Sequence, residues 1–178
     1  MPRQWDDVQR LHSESVKEKM ATIKPRSVLF VCLGNICRSP MAEALFREML
    51  KGSSQQQAWT IDSAGFVDWN EGSMADKGAL TVLMENSIPV GDHRARKIKK
   101  NDFYEFDFIF SMDEEVMKKL VRLKPKDGTA KVELLRRYDP DEKIFKDPYM
   151  GTKAEFEEVF SQCKVCLTNF LKATSGES

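Results

Sequence analysis

A thiol and a guanidinium are separated by five residues in the run Val28-Leu29-Phe30-Val31-Cys32-Leu33-Gly34-Asn35-Ile36-Cys37-Arg38-Ser39-Pro40. Such a pair can hold a phosphate dianion beside a sulfur nucleophile. The guanidinium fork of Arg38 can grip two phosphoryl oxygens at once. The backbone N–H groups of Leu33, Gly34, Asn35, Ile36 and Cys37 would converge in front of a helix N-terminus, an arrangement that binds anions. Gly34 permits backbone angles that a side chain would forbid, and Asn35 tolerates them better than most residues. A helix N-terminus and a neighbouring cation favour thiolate over thiol, and the Ser39 hydroxyl could donate to that sulfur. Cys32 would then attack phosphorus and form a phosphocysteine. A lone cysteine at a strand end is more often a small buried hydrophobe. Here glycine, asparagine, arginine, serine and a helix start all coincide with it. Cys37 either fills the loop interior or traps oxidised Cys32 as a disulfide, and the two roles are compatible.

The elements that must position these groups are legible on both sides. Residues 28–31 form an unbroken apolar run with two valines, as in a central strand buried on both faces. Ser39-Pro40 then opens a helix, with serine suited to the cap and proline tolerated in the first turn. Ala42, Leu45, Phe46, Met49 and Leu50 give that helix one apolar face. Further along, strands are expected over 58–63, 107–112 and 131–135, with helices over 75–85 and 114–123. A last helix begins at Thr152-Lys153-Ala154-Glu155, which reads as a capping box. This alternation predicts a single three-layer α/β domain, a four-stranded parallel sheet flanked by helices on both faces. Its ligand would lie beyond the carboxyl ends of the strands, where Cys32 already stands.

Residues 31–40, Val-Cys-Leu-Gly-Asn-Ile-Cys-Arg-Ser-Pro, resemble the signature loop of the low-molecular-weight protein tyrosine phosphatases. Asp147-Pro148-Tyr149 resembles that family's second motif, which carries the general acid. The resemblance spans roughly residues 26–172. It implies cysteine-dependent hydrolysis of phosphotyrosine in proteins and of small aryl phosphates, an acid-phosphatase-like chemistry with no metal or cofactor. Phenolate leaves poorly, so Asp147 would protonate the ester oxygen and afterwards activate water. His93, in His93-Arg94-Ala95-Arg96, and Asn35 match a buried network that holds the loop and Ser39. Ile61-Asp62-Ser63-Ala64-Gly65 resembles the strand end before a variable substrate loop. There Trp69 would stack on the substrate ring and Asn70 would tune preference. The residues implied around the phosphate and the ring are Leu33, Gly34, Asn35, Ile36, Cys37, Trp69, Asn70, Tyr149 and Met150. Family members commonly carry two adjacent aromatics after Asp-Pro, whereas this chain has Tyr149-Met150, which changes the rim. Ile36 goes with phosphotyrosine, where threonine in related bacterial enzymes goes with phosphoarginine.

Composition sets limits around this reading. At 178 residues the chain suits one domain, with 28 Lys and Arg balanced by 28 Asp and Glu. That balance gives no global pull toward nucleic acid or membrane, and no apolar stretch approaches the ~20 residues of a span. The expected partners are tyrosine-phosphorylated proteins, and the sequence leaves the oligomeric state open. Arg94-Ala95-Arg96-Lys97-Ile98-Lys99-Lys100 reads as a solvated loop face. Four cysteines make no disulfide scaffold, and a reduced Cys32 fits a cytoplasmic location. Cys163-Lys164-Val165-Cys166 lies in a helical pattern and reads as core packing. Residues 1–24 are an N-terminal extension without a signal-peptide pattern, residues 25–174 the phosphatase domain, and 175–178 a tail. Two alternatives stand beside the phosphatase: a non-catalytic phosphoprotein-binding module, and an arsenate reductase, which needs further cysteines to relay a disulfide.

Overall fold

The computed structural model describes residues 26–53 and 55–175. The expected extension over 1–24 and all but Ser175 of the tail lie outside the described residues. Four strands follow in chain order: β1 (Arg26–Cys32), β2 (Trp59–Gly65), β3 (Phe108–Ser111) and β4 (Lys131–Leu134). All pair in parallel, in the order β2-β1-β3-β4. The helices are α1 (Arg38–Leu50), α2 (Lys77–Glu85), α3 (Asp102–Glu105), α4 (Glu114–Leu123) and α5 (Lys153–Ser175).

The period-two alternation of β1 sorts its side chains between two cores. Val28, Phe30 and Cys32 face α1, α2 and α5, whereas Leu29 and Val31 face α3 and α4. The first core is aromatic: Phe110 and Phe170 meet edge to face at 4.9 Å, as do Phe46 and Trp59 at 5.3 Å. Such pairs contribute about 1 kcal/mol each beyond the area they bury. Cys163 and Cys166 are fully buried in the same core. Burial, with Asp139 adding, pushes the Cys166 thiol up to about 12, so the Cys-x-x-Cys is packing, as expected.

From β1 the chain crosses to β2 on one side and returns to β3 on the other. The carboxyl end of β1 is therefore the point where the winding reverses, the usual place for a ligand in such sheets.

Several local expectations need correction. Ser39 is not a helix cap: α1 already starts at Arg38, Cys37 stands at the cap position without a side-chain cap, and Ser39 is turned inward. Nor does α1 bury a single stripe, because every residue from Arg38 to Phe46 is buried. Its first half plugs the space beneath the loop, and the periodic pattern holds only for the second. Helix α2 starts at Lys77 rather than 75, where the Asp76 carboxylate accepts from Gly78 N at 2.8 Å. Helix α3 escaped the sequence reading because a single turn carries no periodic signal. The basic run 94–100 is a solvated face in its charged residues, with Arg94, Lys97, Lys99 and Lys100 exposed, but it is also anchored. Ala95 and Ile98 are buried, and Arg96 reaches Asp62 at 2.8 Å and Asp102 at 3.0 Å. At the start of α5, Glu155 accepts from Thr152 N at 2.6 Å, the return half of a capping box. No described helix is long and apolar enough to cross a membrane.

Candidate active site

The loop after β1 is held by its carbonyl oxygens. Cys32 O accepts from Phe66 N at 2.9 Å, Leu33 O from Val67 N at 3.0 Å, and Ile36 O from Asp76 N at 2.7 Å. Gly34 O accepts from Asn70 Nδ2 at 3.2 Å, and Asn35 O from His93 Nε2 at 3.0 Å. In a trans peptide the next residue's N–H points opposite to the carbonyl. Five carbonyls bonded outward thus turn the N–H groups of residues 33–37 toward the inside of the loop. A converging set of amides before α1 is an anion site.

Space and backbone angle divide the work of the small residues here. The left-handed residue is Asn35, at φ +56°; Gly34 does not lie in that region. The expectation that Gly34 supplies unusual angles is therefore corrected. It supplies room, since a Cβ there would stand 2.5 Å from Asn70 Nδ2. Gly65, opposite Cys32 in the sheet, serves similarly: its Cβ would crowd Leu33 O and Gly34 C at 3.0 Å.

Behind the loop runs a directed chain of hydrogen bonds. Asn35 Nδ2 donates to Ser63 Oγ at 2.8 Å and to Ser39 Oγ at 2.9 Å. Ser63 in turn donates to the Glu43 carboxylate. Ser39 Oγ, accepting from Asn35, lies 3.0 Å from Cys32 Sγ and 3.4 Å from Ala64 O. Asn35 Oδ1 accepts from Arg96 N at 2.9 Å, so every polar atom of its side chain is used. His93 turns Nδ1 to Glu43 at 3.6 Å. Burial alone would raise the Glu43 carboxyl, but His93, Ser63 and Arg47 outweigh it and hold it below the usual carboxylate range. Asn35 and Ser39 are fully buried; they back the loop rather than line its mouth.

In front of the loop, Arg38 is almost wholly buried and is gripped from two sides. Nη1 donates to Asp113 Oδ2 and Nη2 to Asp147 Oδ2, each at 2.7 Å. Its Nε is buried without a partner among the described residues, a donor that a bound oxyanion would satisfy. Asp113 also caps α4, accepting from Val116 N at 2.8 Å. Cys37 shares the loop with Cys32 and is itself buried. Burial pushes its thiol far up, and the charges of Asp76, Cys32 and Asp147 add to this against Arg38.

Cys32, Leu33, Gly34, Ile36, Cys37, Arg38, Trp69, Asn70, Asp147 and Tyr149 line one pocket of about 240 Å³. The sequence-expected residues thus come together, with Asn35, Ser39 and His93 behind the loop and Met150 apart from the rest. Met150 is not part of the lining and is 87 % exposed. Sequence reasoning missed Asp113, Glu43 and Arg96. Asp113 before Glu114-Glu115 carries a helix-cap signal, but nothing in the chain announces that it also reaches Arg38. Among the described residues no group of three or more His, Cys, Asp or Glu side chains converges as a metal site.

A family model described as low molecular weight phosphotyrosine protein phosphatase matches residues 27–177. The pig protein of that name is 45 % identical over 156 residues, covering 86 % of this chain and 98 % of the relative. The Drosophila melanogaster low molecular weight phosphotyrosine protein phosphatase 2 is 44 % identical, covering 82 % and 90 %. Among solved structures, the protein tyrosine phosphatase from Entamoeba histolytica superposes with TM-score 0.79 at 31 % identity, covering 86 % of this chain and 99 % of that one. The drosophila arginine phosphatase superposes with TM-score 0.78 at 33 % identity, covering 85 % and 99 %. With the family model matched over residues 27–177 and the pig relative covered over 98 % of its length, this chain belongs to the low molecular weight phosphotyrosine protein phosphatase family.

Proposed function

We propose that the chain hydrolyses phosphotyrosine monoesters in proteins, and small aryl phosphates, through a phosphocysteine on Cys32. The observation that carries this is the convergence of Cys32, Arg38 and Asp147 on one pocket whose outer walls are Trp69 and Tyr149. The pocket offers a thiol and a buried guanidinium at the bottom and two rings above, which suits an aryl phosphate. In the first step Cys32 Sγ bonds to phosphorus as the P–O(aryl) bond breaks, and Asp147 passes its proton to the departing phenolate oxygen. Arg38 and the loop amides hold the equatorial oxygens, where charge spreads in the transition state. In the second step Asp147, now a carboxylate, takes a proton from water as that water attacks phosphorus. The Cys32 thiolate leaves, and the Ser39 hydroxyl at 3.0 Å stabilises it. The raised thiol of Cys37 supports Cys32 as the nucleophile of the two. Asn35 and His93 act as supports of the loop, and Asn70 sits where it can tune preference.

The reaction needs no cofactor, and its substrates are tyrosine-phosphorylated proteins in the cytoplasm. The phosphatase domain is taken as residues 25–174, with 1–24 as an extension. Cys163 and Cys166, sealed in the core, are poorly placed for the relay that arsenate reduction requires.

The test is phosphate release from p-nitrophenyl phosphate, a phosphotyrosine peptide and a phosphoarginine peptide, with chelator present, for wild type and Cys32→Ser. Release from the two aryl esters by wild type alone, with little from phosphoarginine, is the expected result. Faster release from phosphoarginine would reverse the substrate assignment, and tight phosphopeptide binding without release would favour a binding module.

A further inference from the structure

The described sheet has β2 and β4 as its edge strands, and an uncovered edge offers unpaired N–H and C=O groups to any extended chain. The β2 edge is closed. Arg47 Nη2 donates to Ile61 O at 2.8 Å, and Ser63 N donates to the Asp62 carboxylate at 2.7 Å. At its end Gly65 N donates to Arg96 O at 2.7 Å, and Gly65 O accepts from Ile98 N at 2.8 Å. The β4 edge is open. Lys131 N donates to Asp107 O at 2.8 Å, so Lys131 and Glu133 turn their backbone groups toward β3, and Val132 and Leu134 turn theirs outward. Lys124 Nζ donates to Ala130 O at 2.6 Å just before the strand. Beyond that point the outward Val132 N, Val132 O and Leu134 N have no partner among the described residues.

Beside these groups lies a groove of about 470 Å³. Every residue of β4 lines it, and consecutive strand residues point to opposite faces. The space therefore runs along the edge of the sheet rather than over one face. Its two walls differ in chemistry. On the α4 side, Val132 and Leu134 stand with Met117, and Val121, one helical turn on from Met117, is 58 % exposed. On the opposite face the Glu133 carboxylate is buried, and it accepts from Arg137 at 2.7 Å and from Tyr138 Oη at 3.1 Å. Lys131 reaches the same carboxylate at 3.2 Å, and both Lys131 and Arg137 are exposed. Two cations sharing one buried carboxylate leave this face positive toward solvent. Arg136 and Glu142, the remaining lining residues, hold each other, with Arg136 Nη1 donating to Glu142 O at 2.8 Å. A second copy of β4 would set cation against cation here, whereas an acidic side chain would be drawn in.

We infer that β4 is a strand-addition site for an extended segment of a partner protein in which apolar and acidic residues alternate. The segment becomes a fifth strand. Its backbone pairs with Val132 and Leu134, its apolar side chains lie with Met117 and Val132, and its carboxylates lie with Lys131 and Arg137. The site shares no lining residue with the pocket at Cys32 and does not rest on the phosphatase reading. The test is an NMR titration of the full chain with a short capped peptide of alternating valine and glutamate. A peptide of the same composition, with its valines and glutamates grouped in pairs, runs beside it. The alternating peptide should shift the Val132 and Leu134 amides and slow their hydrogen exchange, and the paired peptide should do neither. Val132→Pro removes the outward N–H and leaves the ladder to β3 intact, so it should abolish binding. Lys131→Glu, a change on an exposed side chain that keeps the test valid if the proline variant does not fold, should weaken binding about five- to tenfold. Equal binding of the two peptides, shifts confined to residues 33–37, or affinity unchanged by Lys131→Glu overturns the inference. So does a free chain that sediments as a dimer and becomes a monomer with Lys131→Glu, since the edge would then belong to a second copy.

Discussion

The two loops that meet at the pocket are built in opposite ways. In the segment 33–37, four carbonyls and both polar atoms of the Asn35 side chain are bonded to neighbouring elements, and Asn35 is fully buried. The segment 139–152 hangs from few points. Phe145 is buried, Ile144 O accepts from Gln162 at 3.2 Å, and Asp147 is tied to Arg38. Around these, Ile144, Tyr149 and Met150 are exposed, and Glu142 and Met150 take positive φ. The first loop is a finished mould for a dianion. On the proposed mechanism the second delivers a proton and accommodates a ring whose chain varies; it is pinned at Ile144, Phe145 and Asp147 and leaves Tyr149 and Met150 in solvent.

Substitutions in each loop should therefore fail differently. The largest effect is expected from Asp147→Ala, which on the proposed mechanism lowers kcat on phosphotyrosine peptides by about 10²- to 10³-fold and flattens the limb of the pH–rate profile it governs. Its melting temperature should stay within about a degree of wild type; a large drop would show the second loop to be as structural as the first. Asn35→Ala should do the reverse, destabilising by about 2–4 kcal/mol through unpaired neighbours and a left-handed alanine. Asn35→Gly, which accepts φ +56° but restores no bond, should recover only the smaller part, as chemical denaturation would show.

Glu43 beneath the first loop gives a pH-dependent version of the same contrast. Its carboxyl is held below the ordinary 4.5, so its contribution is full above that value and fades as pH falls through the lowered folded one. Glu43→Gln should cost about 1–3 kcal/mol at neutral pH. The gap in melting temperature from wild type should close in acid; a gap that stays constant would remove charge from the explanation. The smallest effect is Met150→Gly, expected to raise the melting temperature by about one to two degrees by relieving the turn.

What the sequence disclosed follows the same division. β1, the helix after it and the parallel order were readable because apolar period and strand–helix alternation are local signals. That Cys32, Arg38 and Asp147 would meet in one pocket was readable because each sits in a short motif. What escaped was contact between distant segments. That Glu43 receives Ser63 and faces His93, or that Asp113 reaches Arg38 across 75 positions, depends on how three loops stack above β1. Ser39 was misread for a related reason. Serine before proline at a helix start has the pattern of a cap, and only the buried sulfur seven positions earlier explains why its hydroxyl turns away. Gly34 was expected to relax the backbone, but Asn70, far along the chain, sets its size.

The contact between Arg38 and Asp147 at 2.7 Å means that the empty enzyme carries an internal competitor. Before a phosphate can occupy the guanidinium, this carboxylate has to let go, and the affinity observed for any anion is what remains after that exchange. Replacing Asp147 by alanine should then do more than slow the chemistry. Sulfate and inorganic phosphate, which gain nothing from a proton donor, should bind the variant more tightly than the wild type. Much of what makes the enzyme turn over would also be what keeps simple anions from clogging it.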